Sequence, residues 1–169
     1  TVYKYISETG DMAFLDEVIP FADKEEGTVY EHLKRAVDFS MNHLGVHGMP
    51  AGLYADWNDC LRLGKAGESS FVAMQFYYAM TILKKFAEYK GDTDYIAYLE
   101  EKQKQQGDVI NEFCWNEDRF IRGFTEAGET IGKRTDNEAN MWLNPQSWAV
   151  ISGLATERQA DMALQMVYE

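Results

Sequence analysis

A chain of 169 residues, 46% apolar and 26% charged, is long enough for one domain with a sizeable core and carries no low-complexity tract that would favour disorder. Its 28 acidic and 16 basic residues leave a formal net charge of −12, which argues against nucleic acid and anionic membrane surfaces as partners. The same charge sits awkwardly with an anionic substrate, so any phosphate site requires a local cluster of donors, and the sequence shows no obvious one.

Taken in order, residues 1–7 read as helix without a preceding cap, closed at Gly10, which can take the left-handed cap conformation. A short helix over 12–18 follows, ended by Pro20, and 21–27 reads as a charged loop. Thr28 and Glu31 form a capping box that opens a long helix. Its apolar positions Val29, Leu33, Val37, Met41 and Leu44 recur at the helical period, and Gly45 stops it. His43 and His47 have metal-ligand spacing only if that helix ran on; with Gly45 between them and no third ligand nearby, no metal is expected. No cofactor is expected either.

The glycines of Gly48-Met49-Pro50-Ala51-Gly52 suit a turn that brings backbone close to a ligand. They lead into Tyr54-Ala55-Asp56-Trp57-Asn58-Asp59-Cys60. Two carboxylates at i and i+3 with an indole between them are groups that can hold a sugar and hand it a proton. Breaking a glycosidic bond needs a carboxylic acid kept protonated near neutral pH in a partly apolar site, and a neighbouring indole helps to supply one. An inverting hydrolase adds a second carboxylate that activates water, whereas an enzyme attacking with inorganic phosphate can dispense with it. Taken alone, an Asp-x-x-Asp on a loop is more often a cap plus a solvated charge. Trp57 can pack on one face and stack on the other.

After this block, Arg62, Lys65 and the glycines Gly64 and Gly67 make a short basic turn that reads as solvated, since it lacks the Walker pattern and follows no strand. Glu68-Ser69 then opens a helix that is apolar nearly all round, from Phe71 to Leu83, and that must be covered on every side. Residues 93–114 read as an outer helix with a polar middle, and Gly107 marks the place where a break is expected. Residues 119–124 and 129–132 read as a β-hairpin at the rim of a cleft, where Arg122 is either a substrate contact or half of a structural salt bridge. A polar loop over 133–140 precedes a helix from Gln146, with Pro145 in its first turn, where no amide hydrogen is needed. Thr156 and Gln159 make a second capping box for the last helix. Trp142, Gln146 and Trp148 are of the kind that line sugar sites, with core packing the equal alternative.

Cys60 and Cys114 stand in no metal-like or Cys-x-x-Cys spacing and read as reduced thiols of a cytoplasmic protein, with a disulfide between them left open. No signal peptide is seen, and the longest apolar run, interrupted by Gln75 and Thr81, is too short to span a bilayer. The uncapped start at Thr1 and the end at Glu169 inside an amphipathic run suggest a piece of a longer chain.

The run from Tyr54 to Cys60, the following Gly67-Glu68-Ser69, and Leu143-Asn144-Pro145-Gln146-Ser147-Trp148-Ala149-Val150 together resemble the inverting disaccharide phosphorylases of glycoside hydrolase family 94, over essentially the whole chain. The resemblance implies that Asp59 is the general acid and that Trp57 lines the subsite of the transferred glucosyl unit; Asp56 and Tyr54 are carried as further substrate-binding candidates. It implies an all-α fold with a small β-hairpin, about half of an (α/α)6 barrel, with an N-terminal β-sandwich, the rest of the barrel and the phosphate-binding residues lying outside the chain. The implied reaction is reversible, inverting phosphorolysis of a β-linked glucobiose to α-glucose 1-phosphate and glucose, with cellobiose as first expectation and inorganic phosphate as co-substrate. Tyr54 stands where a related cellobiose enzyme carries a different residue near the acceptor subsite, which keeps chitobiose, laminaribiose and cellodextrin in play. A homodimer is implied for the full-length enzyme. Two rival readings stay open: an inverting hydrolase of the same barrel class, and a noncatalytic carbohydrate-binding helical module.

Overall fold

The computed structural model describes residues 1–168, which are mostly helical with short strands at the loops. The first helix, α1 (Val2–Thr9), ends on Gly10 at φ 72°, the left-handed cap expected there. The short helix expected over 12–18 is instead a 3-10 turn, Met12–Asp16, opened by the Asp11 side chain accepting from Phe14 N. Its last residues belong to a strand: β1 (Val18–Pro20) pairs antiparallel with β2 (Glu26–Thr28), so the charged loop is the tip of a small hairpin. Pro20 is tolerated because it closes a two-stranded ribbon, where an edge position has no partner for the missing N–H.

Thr28 and Glu31 make the capping box of α2 (Val29–Met41) reciprocally, Glu31 N to Thr28 Oγ1 at 3.1 Å and Thr28 N to the Glu31 carboxylate at 2.6 Å. The helix ends at Met41, four residues short of Gly45, and Leu44 pairs with Pro50 in an isolated bridge. Gly45 is there for space: a Cβ would lie 2.5 Å from Glu68 Cδ.

The central element is α3 (Ser70–Lys90), capped by Ser69 accepting from Val72 N. Its C-terminal half packs Phe76, Met80, Leu83 and Phe86 against α1 and α2, while its N-terminal half packs Ala73 and Met74 into a second core with Ile110, Phe120 and Ala149. One helix buried by two clusters on different sides accounts for its lack of a polar face. It turns at Gly91 (φ 69°) and Asp92 into α4 (Thr93–Cys114), and the pair runs antiparallel, with Gln103 Nε2 donating to Tyr77 O at 3.2 Å and Lys84 facing Glu100 at 3.4 Å. The expected break near Gly107 does not occur. Gly107 instead admits the Tyr77 ring, whose Cε2 would sit 3.1 Å from an added Cβ.

The expected hairpin divides between two sheets. Strands β4 (Trp115–Asn116) and β5 (Arg119–Phe120) form one ribbon; β3 (Glu68–Ser69), β6 (Gly123–Phe124) and β7 (Thr130–Ile131) form the other, with β6 in the middle. Sequence signals marked 119–132 as extended, but β3 is two residues long and carries no strand pattern of its own. The chain closes with α5 (Leu143–Ile151), which holds Pro145 in its first turn, and α6 (Glu157–Tyr168), opened by the Thr156 and Gln159 capping box. Among the described residues no helix is long and apolar enough to cross a membrane.

Candidate active-site loop

Between α2 and α3 the chain makes a long loop, residues 42–67, that carries the acidic block. Its two arms are zippered together: Gly52 N donates to Gly67 O at 2.8 Å, and Leu53 N to Lys65 O at 2.9 Å. At the inner end of this zipper Leu53 (φ 51°) and Tyr54 (φ 70°) adopt the left-handed region, where non-glycine residues are uncommon and strained. The far arm is clamped by the turn between β6 and β7. Glu126 N donates to Leu63 O at 2.7 Å, and the Glu126 carboxylate accepts from Lys65 N at 2.8 Å. The basic turn therefore spends a backbone amide on the protein's own carboxylate, which makes it a poor anion site.

The two aspartates have opposite surroundings. Asp56 is buried, its side chain 1% exposed, and forms an ion pair with Arg122, whose side chain is 2% exposed. Asp56 Oδ1 also accepts from Asn58 N at 2.9 Å, while its Oδ2 is buried with no partner among the described residues. Asp59 is exposed, and no hydrogen bond or ion pair engages its carboxylate among the described residues. It opens on a cavity of about 310 Å³ lined also by Tyr54, Asp56, Leu61 and Arg62. The shielded surroundings expected of a general acid are thus not supplied around Asp59 by these residues.

Tyr54 and Trp57 are 77% and 72% exposed, unusual for such large aromatic groups unless something covers them. Trp57 packs edge-on against Phe71 with ring centroids 5.9 Å apart, and Phe71 in turn meets Trp148 at 6.0 Å. An aromatic path thus runs from the loop through α3 to α5. The guanidinium of Arg122 lies 5.6 Å from both the Phe71 and Trp142 rings and donates through Nη1 to Ser69 Oγ at 2.6 Å. Of the two roles open to Arg122, the geometry shows the structural salt bridge.

Gln146 is not a sugar contact. It is fully buried and clamps β5, donating through Nε2 to Phe120 O at 2.7 Å and accepting from Phe120 N at 2.8 Å. Trp142 donates its indole N–H to Ala139 O at 2.9 Å and is half-buried, as is Trp148.

In sequence Glu68 belongs to the Gly67-Glu68-Ser69 run and opens a helix, with no role of its own assigned, yet it anchors the loop. Its side chain is 1% exposed and accepts from Met49 N at 3.0 Å and from His47 N at 3.1 Å through Oε1; Oε2 meets His47 Nδ1 at 2.5 Å. Beside a carboxylate, which only accepts, that ring nitrogen is the donor. His43 turns away and bonds Phe39 O. Among the described residues no group of three or more His, Cys, Asp or Glu side chains gathers for a metal. Both cysteines are free thiols, Cys60 exposed on the loop and Cys114 buried.

Comparison with known proteins bears on what such a loop serves. A family model described as Glycosyl hydrolase 94 superfamily, catalytic domain, matches residues 1–169. The chain is 37% identical over 171 residues to an N,N'-diacetylchitobiose phosphorylase of Vibrio proteolyticus, covering 100% of this chain and 21% of that protein. It is 36% identical over 171 residues to a solabiose phosphorylase of Paenibacillus borealis, covering 99% of this chain and 22% of that one. The chain thus spans about a fifth of the length of the curated relatives it matches. In fold it is similar to the GH78 family rhamnosidase of Bacillus sp. GL1, with a TM-score of 0.73 over 98% of this chain and 16% of that one at 14% identity.

Proposed function

Because the chain belongs to the glycosyl hydrolase 94 superfamily, as part of its catalytic domain, we propose that it is the acid-bearing segment of a disaccharide phosphorylase. In this reading the helices of residues 1–168 form part of an (α/α)6 barrel, and Asp59 is the general acid. The observation that carries it is the contrast within the block: Asp56 is consumed by Arg122, whereas Asp59 stands unpaired at an open cavity beside an exposed tryptophan. An acid must be free to meet the departing oxygen, and a carboxylate locked in a buried ion pair is not.

The mechanism then follows from geometry and balance. Phosphate attacks the anomeric carbon from the face opposite the bridging oxygen, the bond to that oxygen breaks, and Asp59 gives its proton to the leaving sugar. No second carboxylate is needed to activate water. Trp57, anchored edge-on by Phe71, offers a ring face to the transferred sugar, and Tyr54 sits at the rim where an acceptor sugar would lie. The walls that shield Asp59 and the groups that hold phosphate are contributed by other parts of the full-length protein.

Identity does not choose the acceptor, since relatives at 37% and 36% are named for different disaccharides. N,N'-Diacetylchitobiose and solabiose are therefore the first pair to compare, followed by cellobiose, for which neither of these relatives is named, and by laminaribiose and cellodextrin. The test is a product assay on the full-length protein and its Asp59→Asn variant, with phosphate present and omitted. Sugar 1-phosphate formed only with phosphate, and lost in the variant by about 100-fold or more, is the expected result for a missing general acid. Phosphate-independent sugar release would identify a hydrolase, and unchanged turnover in Asp59→Asn would identify a noncatalytic module. The 169 residues alone are expected to release no sugar 1-phosphate.

A further inference from the structure

We infer that Asp56 and Arg122 are the positioning pair of this site: an ion pair with buried side chains that sets the turn on which Asp59 stands, while Trp57 is seated separately by Phe71 and neither member of the pair touches sugar. The inference rests on the reading of Asp59 as the acid.

The bonds that shape the loop start at Asp56. Its Oδ1 accepts from Asn58 N at 2.9 Å; Asn58 Oδ1 accepts from Cys60 N at 3.2 Å; Leu61 N closes on Asn58 O at 2.8 Å. Asp59 lies inside these turns, so its backbone position follows from where Asp56 is held. Asp56 is held by Arg122, 66 residues later in the chain. That guanidinium is fixed in turn, hydrogen-bonded to Ser69 at the start of α3 and flanked by the rings of Phe71 and Trp142. Phe71 is also the ring that seats Trp57. Trp57 thus keeps its own support in Phe71, so a change at Asp56 is felt at Asp59 rather than at the sugar platform.

A stability role explains this pair poorly. Desolvating two charges offsets most of their attraction, and a buried pair is weak evidence of net stabilisation. An arginine and a carboxylate also bind best through two parallel hydrogen bonds, yet Asp56 Oδ2 is buried with no partner among the described residues. The strength available to the pair is not fully used, while the direction it imposes on the loop is.

The unpaired oxygen makes a clean test available. In Asp56→Asn the amide nitrogen can occupy the Oδ2 position, so both bonds to Oδ1 survive and only the charge that holds the guanidinium is lost. The full-length protein and its Asp56→Asn, Arg122→Lys and Asp59→Asn variants are compared on two substrates. One is the disaccharide, whose leaving oxygen needs the Asp59 proton. The other is a dinitrophenyl β-glycoside of the same donor sugar, whose phenolate departs with the bonding electrons unprotonated while phosphate bonds to the anomeric carbon. If the pair acts through Asp59, Asp56→Asn and Arg122→Lys lower kcat on the disaccharide by roughly 10- to 100-fold, the scale of a misplaced catalytic group. They leave the aryl glycoside within about threefold and the KM for phosphate unchanged, as an effect confined to proton delivery requires.

Equal losses on both substrates, or no loss on either, overturn the inference. Should Asp56→Asn be recovered unfolded, the same ratio measured on Arg122→Lys decides, since that variant keeps the buried positive charge. An Asp59→Asn variant that keeps its disaccharide activity overturns the reading of the acid instead, whatever the pair does.

Discussion

Replacing Glu68 by alanine is expected to loosen the turn that delivers the chain into the acidic loop, and the structure allows the cost to be worked out. The carboxylate accepts from three donors: Met49 N, His47 N and His47 Nδ1. Met49 is fully buried, so losing its acceptor exposes it to the full penalty of an unmet amide, about 1–3 kcal/mol. His47 is partly exposed, so water can reach its amide, but the bond from its ring to a charged acceptor is lost, a further ~1.5–3 kcal/mol. The sum, about 2.5–6 kcal/mol, corresponds to a fall in Tm of roughly 5–24 °C for a chain of this size, at about 2–4 °C per kcal/mol. Glu68→Gln keeps one oxygen for the two amides, and its amide can donate to a neutral imidazole, so it is expected to cost only about 1 kcal/mol. Urea and thermal unfolding followed by tryptophan fluorescence measure both. Equal losses for the two variants, or a loss below 1 kcal/mol for alanine, would refute the claim that Glu68 holds the turn.

A Gly45→Ala substitution places a methyl group 2.5 Å from Glu68 Cδ and should cost about 1–3 kcal/mol as overpacking. The cost should shrink in a Glu68→Ala background, which a double-mutant cycle of unfolding free energies reads directly. Cys60 is exposed, and burial pushes the Cys114 thiol well above its ordinary range, so a thiol reagent should modify one cysteine natively and two after denaturation. Mass mapping should place the first label on Cys60, and in the full-length protein disaccharide should slow it. The Lys34 ammonium beside Asp92 and the Arg119 guanidinium beside Asp118 hold both carboxyls below the ordinary aspartate value of 3.8. The folded chain then binds fewer protons than the unfolded one as pH falls past that value, so this stability is present above it and lost below it. Acid titration of the unfolding midpoint should show the loss, and Asp92→Asn should flatten it.

Much of the helical frame could be read from residue order because its determinants are local. The Thr28–Glu31 and Thr156–Gln159 boxes each satisfy amides within one turn, and the left-handed cap at Gly10 needs only the freedom of a missing Cβ. The errors fall where a partner far along the chain decides. Residues 18–20 look like the end of a helix until residues 26–28 pair with them, and Glu68-Ser69 looks like a helix start until Gly123-Phe124 makes it an edge strand. Gly45 reads as a helix stop and Gly107 as a break within a helix, but each makes room for a side chain from another element, Glu68 and Tyr77. A glycine's spacing in sequence cannot tell a cap from a docking hollow.

The acidic block shows the same division more sharply. Asp56 and Asp59 are interchangeable as a spacing pattern, two carboxylates on one short loop, and nothing local assigns them different fates. Arg122 separates them, and its preference for Asp56 depends on Ser69, Phe71 and Trp142 having already fixed where the guanidinium points. A similar contest settles the basic turn, where Lys65 N is claimed by Glu126 from the tip of a hairpin that no motif links to it. With that amide occupied by a carboxylate, the Lys65 backbone offers no free donor to an anion, and the chain's net charge of −12 adds no attraction of its own. The same loop thus sorts its charged groups by distant partners: Asp56 goes to Arg122 and the Lys65 amide to Glu126, while Asp59 and Arg62 are left on the open cavity.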